Sequence, residues 1–125
     1  MKEALAKEMY REHILYHYRH PHNFGMLERS DKEHSKHNPL CGDNLTIQLL
    51  LKNNKISNVK FNGSGCAISI ASASLLTDKV KNMAIDDVKM LKAADLLELI
   101  MIPISPVRLR CALLSLEAIQ EALSK

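Results

Sequence analysis

The sequence contains no tryptophan, and aromatic side chains make up only 4% of its 125 residues. Because 46% of the residues are hydrophobic, the core must consist of aliphatic side chains. A membrane span needs about 20 apolar residues, and the most apolar run, residues 96–104, is short and contains Glu98 and Pro103. The first residues alternate in charge and lack the apolar segment of a signal peptide. We therefore expect a cytoplasmic protein with no membrane partner.

A strong charge of one sign is also missing. The 17 Lys and Arg residues are nearly balanced by 14 Asp and Glu residues, so the formal net charge is +3. Proteins that bind nucleic acid usually carry a basic stripe with interleaved aromatic side chains, whereas the basic residues here are scattered. The length fits one domain, and no repeat or linker is present. The sequence therefore predicts a single domain over residues 1–125 that does not bind nucleic acid.

The spacing of apolar residues predicts a helix followed by a hairpin. Residues 4–20 have a composition that favours a helix. Residues 44–51 and 55–62 alternate between apolar and polar side chains, as half-buried strands do. Asn53 and Asn54 between them are typical of a turn. Residues 28–38 are polar throughout and carry no signal for either type of element.

Helical patterns occupy the rest of the chain. One helix follows Cys66 and ends in a polar tail over residues 78–83, and a second helical stretch runs from Asp86 to Ile100. Ser105 and Pro106 are typical of the start of a last helix, as its N-cap and first residue. The predicted fold is therefore α+β, with a small antiparallel sheet packed on one face by several helices.

All six histidines precede residue 38, and His13, His17 and His20 have the spacing of one helix face. Such a face could bind a metal ion, but no carboxylate or thiol lies at a companion spacing. We interpret these histidines as the solvated face of a charged helix and expect them to be dispensable.

The three cysteines cannot all pair within one chain. In a protein expected in the cytoplasm, an odd count indicates free thiols, metal ligands or a nucleophile rather than a disulfide framework. The alternative is that each cysteine is simply a small buried hydrophobic side chain.

The surroundings of each cysteine favour a thiolate. In an extended segment, Cys41 and Asp43 would point to the same side and supply half of a tetrahedral metal site. Cys66 follows a glycine-rich turn at the start of a helix, where backbone N–H groups favour a thiolate. Cys111 lies beside Arg110, whose charge has the same effect. Three such settings together favour a shared chemical role over three inert core residues.

Four segments of the chain match one known family. They are residues 16–25 (YHYRHPHNFG), 38–43 (NPLCGD), 63–69 (GSGCAIS) and 106–112 (PVRLRCA). On these segments, the chain resembles the U-type iron–sulfur cluster assembly scaffolds, the group of IscU, SufU and the NifU N-terminal domain. The resemblance spans nearly the full length of the chain. Any one motif would be weak, but three motifs in order, each with its own cysteine, are specific.

This resemblance implies a site and a function. Four residues are implied to converge at one end of the sheet as ligands: Cys41, Asp43, Cys66 and Cys111. The implied occupant is a labile [2Fe–2S] cluster or a zinc ion. Sulfur would arrive as a persulfide from a cysteine desulfurase, with Cys111 or Cys41 as the acceptor. The cluster would then pass to acceptor apo-proteins, without turnover of a small-molecule substrate. We expect a monomer or a weak homo-oligomer.

One departure from the family leaves two alternatives open. Arg110 stands where the Isc branch has a histidine, and a guanidinium cannot bind a metal. A basic residue there is similar to the Suf branch, yet only 44 residues separate Cys66 from Cys111, too few for the insertion of that branch. The second hypothesis is a zinc-dependent sulfurtransferase. A purely structural zinc domain is disfavoured because the chain has no Cys-x-x-Cys pair.

Overall fold

The computed structural model describes residues 2–39 and 42–125, with the backbone alone for residues 2–8 and Tyr10. The described elements follow in the order α1 (Lys2–Arg19), β1 (Lys32–Asn38), β2 (Asp43–Lys52), β3 (Lys55–Ser64), α2 (Ala67–Val80), α3 (Ile85–Lys89), α4 (Ala93–Ile100) and α5 (Pro106–Leu123). The predicted α+β class is confirmed. Within the described residues, every helix is too short or too polar to cross a lipid bilayer.

The sheet has three antiparallel strands in the order β1-β2-β3. The predicted hairpin is its β2–β3 half, and each strand extends one or two residues beyond the predicted bounds. Asn53 and Asn54 both adopt positive φ angles, of 54° and 61°, which matches the tight turn that connects twisted antiparallel strands. The alternating pattern therefore located this hairpin correctly.

Strand β1 was not predicted. Its residues, Lys32–Asn38, alternate between half-buried and exposed positions without one apolar side chain. The inward side chains are basic: Lys36 Nζ lies 3.1 Å from Glu117 and 2.8 Å from Glu121 on α5, and His34 Nε2 lies 3.0 Å from Glu121. The strand thus forms through backbone pairing with β2 and ion pairs with a helix, so it carries no hydrophobic period.

The core lies between the sheet and helices α2 and α5, which also pack on each other. Helix α2 carries small side chains where its neighbours cover it, since residues 71–74 read Ala-Ser-Ala-Ser and are all buried. Ser105 Oγ accepts a hydrogen bond from the Arg108 backbone N–H, so the predicted N-cap of α5 is confirmed. Small side chains on α2 therefore let neighbouring helices approach it closely.

The prediction of a single helical stretch from Asp86 to Ile100 is wrong, because two helices occupy this range. Met90 ends α3, and α4 begins after Lys92. The backbone N–H of Lys92 donates to Asp95 Oδ2 at 2.7 Å. A carboxylate that binds the N–H before a helix favours a new helix start, and the apolar spacing alone did not reveal it.

The prediction that His13, His17 and His20 form a solvated face of α1 is also wrong. His17 is only 5% exposed, and its Nδ1 lies 2.7 Å from Ser74 Oγ on α2. His13 is half-buried, while His20 is exposed as expected. Helix α1 therefore packs on α2 through part of this face, because the small buried residues of α2 leave room for an imidazole ring.

Candidate metal-binding site

Three of the predicted ligands meet where a strand and two helices come together. Asp43 is the first residue of β2, Cys66 is the N-cap of α2, and Cys111 lies in the first half of α5. Their ligand atoms all lie within 4.8 Å of one another. Asp43 and Cys111 are buried and Cys66 is half-buried. Cys41 lies outside the described residues, so the structure describes three of the four predicted ligands.

The turn before Cys66 requires glycine. A Cβ atom on Gly65 would lie 2.3 Å from Ser69 Oγ and 2.8 Å from Asp43 Oδ1, and one on Gly63 would lie 2.1 Å from the Asn44 carbonyl oxygen. Real Cβ atoms do not approach other atoms so closely, so larger residues would force the turn away from β2. The glycines therefore allow Cys66 to reach the carboxylate of Asp43.

The two oxygens of Asp43 have different surroundings. Oδ1 accepts a hydrogen bond from the Cys66 backbone N–H at 2.9 Å, which ties the start of α2 to β2. Oδ2 is buried and has no hydrogen-bond partner among the described residues. Burying an acceptor without a partner costs about 1–3 kcal/mol, more for a charged group. Such an oxygen is available to a cation or a metal centre.

The surroundings of Cys66 favour the ionised form of its thiol. Burial alone would raise its pKa, but hydrogen bonds from the backbone and side chain of Ser69 and from the Ile68 backbone outweigh burial and the nearby Asp43 charge. The net result is that the pKa of Cys66 lies below its usual value. Ser69 Oγ lies 3.7 Å from Cys66 Sγ and 3.0 Å from the Cys66 carbonyl oxygen, so its one hydroxyl hydrogen can be donated to either acceptor. Thiolates are the form that binds metals.

Cys111 is contacted by the last residue of β1, Asn38. The buried Asn38 donates its Nδ2–H to Cys111 Sγ at 3.8 Å. Arg110, the preceding residue, is exposed and lines a cavity of about 330 Å³ together with Lys36, His37 and Asn38. Arg110 thus contributes positive charge beside the site rather than a ligand, in agreement with the chemistry of a guanidinium.

Asn38 and Ser69 were not singled out from the sequence as contacts of the cysteines. Ser69 could have been found, because the third residue after an N-cap is well placed to hydrogen-bond back to it. Asn38 could not, since its contact depends on the unpredicted strand β1. The structure brings Asp43, Cys66 and Cys111 together, and their role as ligands, like that of Cys41, stays a prediction.

The fold and the site define an α+β domain that gathers thiols and a carboxylate at one end of its sheet. The family model of the NifU-like N-terminal domain matches residues 9–125. The chain belongs to this family, as its resemblance to the U-type scaffolds predicted.

Named relatives and a solved structure agree with this family. The chain is 37% identical over 126 residues to the iron–sulfur cluster assembly enzyme IscU of Drosophila melanogaster, a match that covers 98% of this chain and 80% of that protein. It is 32% identical over 119 residues to the iron–sulfur cluster assembly scaffold protein IscU of Rickettsia prowazekii, covering 92% and 89%.

A solved structure described as a candidate iron–sulfur cluster assembly scaffold for the SUF system of Fervidobacterium islandicum superposes with a TM-score of 0.76 at 25% identity. This superposition covers 90% of the chain and 94% of that structure.

Proposed function

We propose that this protein is a scaffold on which an iron–sulfur cluster is assembled and from which it passes to other proteins. One observation carries the proposal: two thiols lie within 4.8 Å of a buried carboxylate that has one oxygen without a hydrogen-bond partner. Iron–sulfur clusters are held chiefly by Cys thiolates. The relatives whose names include cluster assembly support the same function.

We propose Cys41 as the fourth ligand. It lies in the short connection between Asn38 and Asp43, which are paired in the sheet. Asn38 contacts the Cys111 sulfur and Asp43 contacts the Cys66 backbone. Cys41 belongs to the NPLCGD segment on which the resemblance to the scaffold family rests, and its thiol would complete a set of three sulfur ligands and one oxygen ligand.

The cluster of this proposal is a [2Fe–2S] cluster held loosely enough to be released. A carboxylate oxygen is a harder ligand than a thiolate, and iron–sulfur chemistry favours soft sulfur ligands. With Asp43 in the ligand set, one iron would be held less firmly and be open to an incoming thiol of an acceptor apo-protein. The mixed ligand set thus suits a carrier that must give up its cargo.

Sulfur would enter by persulfide transfer. In this step the thiolate of Cys111 or Cys41 attacks the outer sulfur of a persulfide on a cysteine desulfurase. The outer sulfur is transferred, and the donor cysteine leaves as a thiolate, so atoms and electrons balance. Mass spectrometry of Cys111→Ser and Cys41→Ser variants after incubation with the desulfurase would identify the acceptor.

The proposal is tested by anaerobic reconstitution with ferrous iron, cysteine and a cysteine desulfurase. We expect the wild type to develop the visible absorption of a [2Fe–2S] cluster and to transfer it to an apo iron–sulfur protein. The Cys66→Ser and Cys111→Ser variants should form little cluster, whereas the exposed neighbour variant Ser64→Ala should behave like the wild type. A wild-type protein that forms no cluster but retains zinc against a chelator would overturn the proposal.

A further inference from the structure

Three imidazole rings lie together between α1 and the segment that follows it. His13 and His17 are four residues apart on α1, and their ring centroids are 4.7 Å apart. The rings of His17 and His22 are also 4.7 Å apart. Two histidines at this spacing on one helix face are a recognised arrangement for binding a metal ion. His22 adds a third ring from outside the helix.

Two of these rings are oriented through their Nδ1 atoms. Nδ1 of His17 lies 2.7 Å from Ser74 Oγ, and Nδ1 of His22 lies 2.6 Å from Asp78 Oδ2. Ser74 Oγ also accepts from the His22 backbone N–H at 2.8 Å. Metal-bound histidines typically donate their other ring N–H to a carboxylate or a similar acceptor. Within the described part of the chain, the Nε2 atoms of both rings have no hydrogen-bond partner, so each can bind a metal ion when Nδ1 carries the ring proton.

The third ring is free to adjust. His13 is half-buried and has no hydrogen bond within the described part of the chain. The rings now stand edge to face, at interplanar angles of 77° and 60°. Among side chains that the structure describes, only the Asp43, Cys66 and Cys111 group brings three ligand atoms within 4.8 Å. Binding at the histidines therefore requires ring rotation, chiefly at His13.

We propose that His13, His17 and His22 form a second site for a divalent transition-metal ion. A bound ion would link α1 to the segment that follows it, beside α2. Neutral imidazole is a good ligand for Zn²⁺, Co²⁺, Ni²⁺ and Cu²⁺, and water would complete the coordination. This site shares no residue with the Asp43, Cys66 and Cys111 group, and the proposal does not depend on cluster assembly.

Cobalt(II) titration of the full-length protein, free of any histidine tag, tests this site. The thiolate site should give a sulfur-to-cobalt charge-transfer band, whereas an all-imidazole site should give only ligand-field bands. We expect the wild type to bind two equivalents, one of each kind. His13→Gln and His22→Gln should each lose only the imidazole equivalent, and Asp78→Asn should weaken it about tenfold.

The matched control is His20→Gln, which replaces an exposed histidine outside the proposed site. It should retain both equivalents. His13 and His22 are not buried, so their variants should fold, which circular dichroism would verify. A wild type with only the charge-transfer signal, or His13→Gln and His22→Gln variants that still bind two equivalents, would overturn the proposal. A wild type that binds one equivalent of cobalt without a charge-transfer band, and loses it in His13→Gln, would support the histidine site and count against the thiolate site.

Discussion

At the scale of single residues, the two carboxylate oxygens of Asp43 have different surroundings. Oδ1 binds the backbone N–H of Cys66 and so positions the start of α2. Oδ2 is buried beside two sulfur atoms and has no hydrogen-bond partner among the described residues. Replacing this residue therefore removes the proposed oxygen ligand and also a hydrogen bond to the backbone, and an experiment must separate the two effects.

Asp43→Ala should lengthen the life of a reconstituted cluster in air and slow its transfer to an apo-protein several-fold. The change removes the proposed hard oxygen ligand and one negative charge, and it leaves the proposed sulfur ligands in place. Visible absorbance followed over time measures cluster decay, and the same signal measures transfer when an acceptor is added.

Asp43→Asn is the companion variant, because its amide oxygen can still accept from the Cys66 N–H. If loss of the carboxylate ligand is the cause, both variants should stabilise the cluster. If only the alanine variant differs from the wild type, the effect comes from the lost hydrogen bond. A cluster that decays faster than the wild type in both variants would contradict the assignment of Asp43 as a ligand.

At the scale of elements, β1 depends on electrostatics where β2 and β3 depend on apolar burial. Lys36 contacts both Glu117 and Glu121 on α5, and its hydrogen bond to Glu121 holds the pKa of that carboxyl below its ordinary value, with a further contribution from His34. The same contact raises the pKa of Lys36. The strand that carries Asn38 to the site is therefore attached to α5 partly through charge.

Glu121→Gln should lower the free energy of unfolding at pH 7 by a few tenths to about 1 kcal/mol, as expected for partly exposed ion pairs. Because the pKa of Glu121 is lowered in the folded state, its stabilisation is present above the ordinary carboxyl range. It is lost as the pH falls through the folded-state pKa. In urea unfolding, the difference between variant and wild type should therefore be smaller at pH 3 than at pH 7.

The control for this prediction is Glu98→Gln. Glu98 is exposed on α4 and has no ion pair among the described residues, so its neutralisation should leave stability almost unchanged at both pH values. A stability difference for Glu121→Gln that is equal at pH 7 and pH 3 would show that the carboxylate charge is not its source.

At the scale of the whole molecule, the elements that supply the site also build the core. Strand β2 and helices α2 and α5 carry Asp43, Cys66 and Cys111, and the same elements bury the central aliphatic side chains. A metal bound at the site would join these elements, and ligand thiolates gathered without a metal would repel one another. Metal binding and folding should therefore be linked.

Zinc should raise the melting temperature, tested in a His13→Gln, His22→Gln background so that only the Asp43, Cys66 and Cys111 site is titrated. A ligand at about 100 times its dissociation constant stabilises the folded state by about 2.7 kcal/mol, which corresponds to several degrees for a domain of this size. Differential scanning calorimetry with and without zinc measures the shift.

A chelator should reverse this increase, and Cys66→Ser in the same background should reduce it. Ser64→Ala, an exposed neighbour, should keep it. A melting temperature that is indifferent to zinc would contradict the linkage between the site and the core.

The sequence by itself determined those features that depend on local chemistry. Alternating apolar residues specified the β2–β3 hairpin, two asparagines specified its turn, and Ser105 and Pro106 specified the start of α5. The cysteine motifs carried the family resemblance, and that resemblance implied the convergence of Asp43, Cys66 and Cys111 that the structure shows.

Only the tertiary structure decided the features that depend on partners distant in the chain. Strand β1 exists because β2 and the glutamates of α5 bind it, and no hydrophobic period records that. His17 is buried because Ser74 on α2 receives it. The hydrogen bond from Asn38 to Cys111 joins residues 73 positions apart. Such contacts arise from packing between elements, which local sequence patterns do not encode.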